Sequence, residues 1–213
     1  MNQIELLFSR YPALSGCRQD IEQAFQLLCG TYARGGKVLA CGNGGSASDA
    51  AHIVGELMKS FARRRDIGPA REKLFAALPP EDAQYMADRL EGALSALSLH
   101  GETALVSAFS NDVSPDLIYA QQVLGHGRPG DTLIALSTSG NSENILRAVQ
   151  ASKALGLHTV GFTGQSGGRL AACCDVCIRV PETETFRVQE LHLPVYHTLC
   201  LMLEDAFFDG ERK

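Results

Sequence analysis

His52 and Glu56 stand four residues apart in the stretch KVLACGNGGSASDAAHIVGE, Lys37 to Glu56. On a helix that spacing puts both side chains on one face, with Cβ atoms about 5–6 Å apart. An imidazole that titrates near neutrality then lies beside a carboxylate. Such a pair can move protons or share a metal ion; it can equally be a solvated surface pair. Just ahead, Gly42, Asn43, Gly44 and Gly45 make a turn, and Ser46 and Ser48 open the helix. The first N–H groups of a helix have no internal partner and carry a partial positive charge, which suits a phosphate. The turn matches neither G-x-x-x-x-G-K-[ST] nor G-x-G-x-x-G, so it is no P-loop and no dinucleotide fingerprint. A tight turn without a ligand is the alternative.

A second stretch repeats this logic. Ser137-Thr138-Ser139-Gly140-Asn141-Ser142 follows an apolar run and precedes a helical pattern. A bare helix start needs one capping side chain, not four hydroxyls, so the composition points to an oxyanion of phosphate size. Near the end of the chain, Gln189, Glu190, His192 and His197 share one helical segment. Taken alone, the two histidines read as half-buried helix residues. Ser110-Asn111-Asp112 is a further polar cluster, closing an apolar run.

The elements that must position these residues follow from periodicity. Residues 1–35 are helical, with stripes Ile4, Leu6, Leu7, Tyr11, Leu14 and Ile21, Ala24, Phe25, Leu28, Cys29. Strands are expected at Lys37–Cys41, Leu94–Leu99, Thr132–Leu136, His158–Thr163 and Val176–Val180. Ala104–Phe109 fits strand or helix. Helices are expected from Ser46 to about Phe61, over Asp116–Leu124, from the second hydroxyl loop through Leu155, and over Arg187–Phe208. Pro194 inside the last one removes a backbone hydrogen bond and favours a kink. Residues 62–93, broken by Pro69, Pro79 and Pro80, read as a helical insertion too short for its own core. Leu74, Leu78, Tyr85, Met86 and Leu90 are its candidate packed face. Strands alternating with helices predict an α/β fold: one domain over 1–213, a five-stranded parallel sheet with helices on both faces. Ligands of such sheets bind beyond the carboxyl ends of the strands, where both hydroxyl loops fall.

Composition narrows the function. The chain has 213 residues, 45% apolar and 20% charged, with net charge -5. That is ordinary for a globular protein and lacks the basic face that nucleic acid requires. Arg63, Arg64 and Arg65 are the one dense basic run, read as a solvated helix end or a small anion contact. No stretch is apolar enough to span a membrane, and the N-terminus lacks a signal-peptide pattern, so a cytoplasmic protein is expected. Its seven cysteines are then thiols. Cys173, Cys174 and Cys177 lack a second cysteine–histidine pair at zinc-finger spacing and read as buried strand-edge thiols.

GNGGSASDAAHIVGEL, SND, STSGNS, TGQSGG and VQELHLPVYH together resemble the SIS (sugar isomerase) family of phosphosugar-binding domains. The resemblance spans nearly the whole chain except the insertion. His52–x3–Glu56 with Gln189–x7–His197 is similar to the branch that isomerises sedoheptulose 7-phosphate to D-glycero-D-manno-heptose 7-phosphate. The resemblance implies that Ser46, Ser137, Thr138, Ser139 and Ser142 hold phosphate. It implies sugar-hydroxyl contacts from Asn43 and Asp112 and further substrate contacts from Gly44, Gly45 and Gln189, with Glu56 as base and His197 as acid. It further implies a zinc ion held by His52, Glu56, Gln189 and His197, and a homotetramer with active sites at subunit interfaces. This chain departs from the branch in three places: the insertion, Lys59-Ser60 where an arginine is usual, and Phe186 where some members have an aspartate. One rival is a non-catalytic SIS module that binds a protein partner, a homologue that lacks the His/Glu pair; the other is a related isomerase for another sugar phosphate, permitted by the insertion.

Overall fold

Five parallel strands form the sheet, in the order β2-β1-β3-β4-β5. They are β1 Val38–Cys41, β2 Ala96–Ser98, β3 Thr132–Leu136, β4 His158–Thr163 and β5 Val176–Arg179. The computed structural model describes residues 2–67 and 71–208, with Arg71 and Glu72 described by backbone alone. Val38 pairs with Ala96 on one side and Thr132 on the other. The strand order therefore reverses at β1, which opens a crevice beyond the carboxyl ends of β1 and β3.

Successive strand residues face opposite sides, and this sorts the core into two layers. Val38, Ala40, Ile134, Leu136, Val160 and Phe162 pack with α1 (Gln3–Arg10), α2 (Arg18–Ala33), α3 (Gly45–Met58) and α10 (Thr185–Phe207). Leu39, Cys41, Leu133 and Ala135 pack with α7 (Ile118–His126), α8 (Glu143–Ala154) and the single-turn α9 (Leu170–Cys173). The side chains that matter below sit on α3 and α10, which pack against each other on the first layer.

Several elements depart from the sequence expectation. Helix α3 ends at Met58, not near Phe61, because Lys59 is extended and the N–H groups of residues 61–63 turn to Glu204. Ala104–Phe109 is helical, within α6 (Thr103–Asp112), none of whose residues is buried. The helix expected over Asp116–Leu124 is split into a short 3-10 turn, Pro115–Leu117, and α7. In the insertion, α4 (Arg71–Leu74) and α5 (Pro80–Arg89) form, with Glu81 and Asp82 in the first turn of α5. Its expected packed face is not packed: Leu74, Leu78, Tyr85 and Leu90 are exposed, and Phe75 is the residue that goes inside. Pro69 lies outside the described residues. Leu6 is likewise exposed, and Cys173, Cys174 and Cys177 are half-buried, not buried. Pro194 sits inside α10 without dividing it.

Candidate active site

The two turns meet side by side. Asn43, leaving β1, and Asn144, in the first turn of α8, exchange amide hydrogen bonds of 2.9 and 3.0 Å. The Tyr119 hydroxyl donates to the Gly42 carbonyl at 2.6 Å and fixes the first turn from below. Gly44 has φ +55, and a Cβ at Gly42 would collide with the backbone of Ser46. Glycine is therefore required there. The first-turn N–H groups of α3 receive no side-chain cap, and neither do those of α8, although Ser142 is its N-cap residue. The Ser142 hydroxyl instead accepts from Ser137 at 3.1 Å. Gly140 packs so closely on Gly167 and Gly168 that no Cβ fits, which clamps the second loop against the TGQSGG segment. Ser46 and Ser137 are buried, Thr138 and Ser142 half-buried, and Ser139 exposed. Two uncapped helix starts and a set of hydroxyls thus face one crevice, the geometry an oxyanion requires.

Two turns along α3, His52 gathers its neighbours. Its Nε2 is 3.2 Å from Glu56 Oε1 and 3.4 Å from His197 Nε2. Its Nδ1 is 3.1 Å from the Tyr196 hydroxyl, which also lies 3.2 Å from Asp49 Oδ1. Glu56 is 9% exposed, and its other oxygen, Oε2, is 3.3 Å from Lys59 Nζ. Burial lowers the His197 pKa, His52 adds to that, and Glu56 opposes it. The imidazole is therefore largely neutral near pH 7 and can both give and take a proton. Burial raises the Asp49 pKa against the opposing pull of the Tyr196 hydrogen bond and His52.

Gln189 does not join this group. It stands eight residues before His197, about 12 Å along the helix, and lies against the first turn: a Cβ at Gly45 would sit 2.5 Å from its Nε2. Asp112 is exposed at the end of α6, where it accepts from Asn111 at 2.8 Å. Ligands of one tetrahedral zinc ion stand about 3.4 Å apart, and the His52–His197 and His52–Glu56 separations have that size. Among the described residues, however, no three histidine, cysteine or acidic side chains converge as a finished metal site does. The donors fit zinc in kind and in pairwise spacing, without a preformed shell.

A buried ion pair holds the end of α3. Arg65 is fully buried and donates to Glu204 Oε1 at 2.8 Å, to the Leu57 carbonyl at 2.6 Å and to the Glu56 carbonyl at 2.7 Å. Glu204 also accepts from the N–H groups of Phe61, Ala62 and Arg63, at 2.7, 2.7 and 2.9 Å. The reading of Arg63–Arg65 as a solvated run is thus corrected at Arg65, whose charge lies in the core. Burial alone would raise the Glu204 pKa, but these N–H groups and Arg65 outweigh it and hold the carboxyl low.

Sequence reasoning missed Asp49, Tyr119, Asn144, Tyr196 and the Arg65–Glu204 pair. Asp49 was within reach, since Asp49, His52 and Glu56 follow i, i+3, i+7 along one helix face. The ion pair was not, because 139 residues separate its partners.

Comparison with known proteins follows the same lines. A family model described as SIS domain matches residues 13–164. The phosphoheptose isomerase of Rhodospirillum rubrum is 40% identical over 193 residues, 91% of this chain and 89% of that protein. The solved phosphoheptose isomerase of Neisseria gonorrhoeae superposes with TM-score 0.69 at 30% identity, covering 94% of this chain and 98% of its own. That of Francisella tularensis gives TM-score 0.71 at 29% identity, with 96% and 100% covered.

Proposed function

The chain belongs to the SIS domain family, and from that premise we propose that it is an aldose–ketose isomerase of heptose phosphates. Its reaction is sedoheptulose 7-phosphate to D-glycero-D-manno-heptose 7-phosphate. The observation that carries this reading is the grouping of Glu56, His52 and His197 on α3 and α10, beside two uncapped, hydroxyl-lined helix starts. A module that only bound its ligand would not need a carboxylate and a neutral imidazole at such range.

The phosphate sits against Ser46, Ser137, Thr138, Ser139 and Ser142. Asn43, Gly44, Gly45 and Gln189 line the path of the sugar. Glu56 takes a proton from C1 of the ketose; the electrons left behind form the C1–C2 double bond of an enediolate. The same carboxyl returns the proton to C2. His197 exchanges the hydroxyl proton between O1 and O2, so that the carbonyl ends at C1. Each transfer needs a group near its working pKa within hydrogen-bond reach. His52, Glu56 and His197 are also the residues that would hold zinc, which when bound supplies Lewis acidity to the carbonyl and hydroxyl oxygens.

A homotetramer with sites at subunit interfaces completes the reading. Its support is surface left bare: α6 buries none of its residues, and Val113, Leu117 and Leu124 are exposed around it. A groove of about 350 Å³ along α1 and α10, lined by Leu6, Tyr11 and Leu193, also opens onto His197. Among the described residues no helix is long and apolar enough to cross a membrane. Residence in the cytoplasm is supported by seven cysteines, all of them free thiols.

Purified protein incubated with sedoheptulose 7-phosphate and followed by NMR tests the reaction. New aldose resonances are expected. Unchanged ketose, with and without added zinc, would overturn it.

A further inference from the structure

Helices α3 and α8 stand on opposite faces of the sheet. Ala50, Ile53 and Leu57 of α3 belong to the first core layer, and Ile145, Leu146, Ala148 and Val149 of α8 to the second. Their packed faces therefore do not meet. Strands β1 and β3 hold the two helices in register only as far as Cys41, opposite Ala135. Past that point, among the described residues, no backbone hydrogen bond joins the turn after β1 to the loop after β3. What joins them is a pair of side chains. The Asn43 amide donates to Asn144 at 2.9 Å and accepts from it at 3.0 Å. Two N–H···O bonds form whichever way the amides are turned, provided both turn together.

Asn144 is the second residue of α8, so it moves with the helix start that faces the phosphate. Asn43 lies just before α3, which carries Glu56. An amide has two hydrogens and two lone pairs. The pair takes one of each from Asn43 and leaves one of each for a sugar hydroxyl. The Tyr119 hydroxyl is 3.4 Å from Asn43 Oδ1, but its one hydrogen goes to the Gly42 carbonyl at 2.6 Å.

We propose that Asn144 is a positioning residue that acts through Asn43. It locks the phosphate-holding start of α8 to the turn that opens α3, so that the grip on the phosphate at C7 fixes where C1 and C2 lie against Glu56. This role rests on the isomerase reading above. Without the amide pair the two turns can shift, and a misplacement of about 1 Å can cost about 10²-fold in rate.

The test compares turnover of sedoheptulose 7-phosphate by wild type, Asn144→Ala, Asn43→Ala, the double alanine variant and Asn144→Leu, which keeps the volume without the amide. Affinity for inorganic phosphate is measured by calorimetry. In both Asn144 variants kcat is expected about tenfold or more lower, with phosphate affinity little changed. The double variant is expected to match Asn43→Ala alone, because residues that act through one another are not additive. Wild-type kcat in both Asn144 variants would overturn the proposal. So would losses that multiply in the double variant, or a loss confined to phosphate affinity, which would make Asn144 part of the cradle. A second readout needs no sugar. In protein labelled with 15N-asparagine, the Asn43 side-chain amide is assigned by its loss in Asn43→Ala. Inorganic phosphate should shift it in wild type and leave it in place in Asn144→Ala. No shift in wild type, or an undiminished one in the variant, would contradict the coupling. That spectrum stands even where wild type leaves the ketose unchanged, a result that counts against the isomerase reading alone.

Discussion

His192 is the residue on which burial acts most plainly. It is fully buried, its Nε2 lies 3.3 Å from the Thr163 carbonyl, and its Nδ1 has no partner. Burial pushes its pKa down to about 4, against about 6.5 when unfolded. The unfolded chain therefore binds a proton that the folded chain refuses between those values. Stability from this group is complete above pH 6.5 and falls as pH drops, by about 3 kcal/mol once pH 4 is reached. Urea unfolding at a series of pH values should show that loss in wild type and a shallower one in His192→Gln; identical slopes would contradict it. The sequence marked His192 and His197 alike, yet the fold gives them opposite fates. Position 192 points into the sheet and position 197 toward α3. Helical spacing identified the His52–Glu56 pair because both lie on one element. It could not identify Tyr196 as a partner of His52, since that contact depends on how α3 and α10 pack.

At the scale of elements, the alignment of α3 with α10 governs the site. Asp49, His52 and Glu56 are on one helix and Tyr196 and His197 on the other, so a small slip between them separates the Glu56 carboxylate from the His197 imidazole. Arg65 and Glu204 pin the far end of that contact, tying the last carbonyls of α3 to α10. Breaking a buried pair leaves an uncompensated charge and typically costs about 3–5 kcal/mol. Glu204→Gln should destabilise by that amount in urea unfolding, with Arg65 left facing an amide; a change within experimental error would show that the pair holds nothing. The strands and most helices were legible because short apolar runs and turn glycines marked them. The end of α3 was not, because a distant acidic residue decides where the chain leaves the helix. Nor was the insertion, whose apolar residues follow helical spacing but stay exposed at Leu74, Leu78, Tyr85 and Leu90, while Phe75 goes inside.

Across the whole molecule, the sheet order explains why two sequence signals 91 residues apart serve one site. The turn after β1 and the loop after β3 become neighbours because those strands are adjacent, and the Asn43–Asn144 bridge closes them. A parallel sheet was readable from the alternation of elements, and with it the end of the sheet where ligands bind. The proposed subunit assembly would use surface the fold leaves uncovered, at α6 and at Val113, Leu117 and Leu124. If α6 and the loop after it meet another copy, Val113→Asp should shift the protein to smaller species in sedimentation, without unfolding it. An unchanged mass would place the interface elsewhere.

The measurement that bears most directly on the account is steady-state turnover of sedoheptulose 7-phosphate by Glu56→Gln beside wild type, with substrate affinity measured separately. Glutamine keeps the shape and cannot take the proton. The predicted result is a kcat lower by at least about 10²-fold, within the range for loss of a general base, with affinity little changed because the phosphate loops are intact. Wild-type turnover by Glu56→Gln would contradict the assignment of the base and, with it, the proton path drawn through α3 and α10.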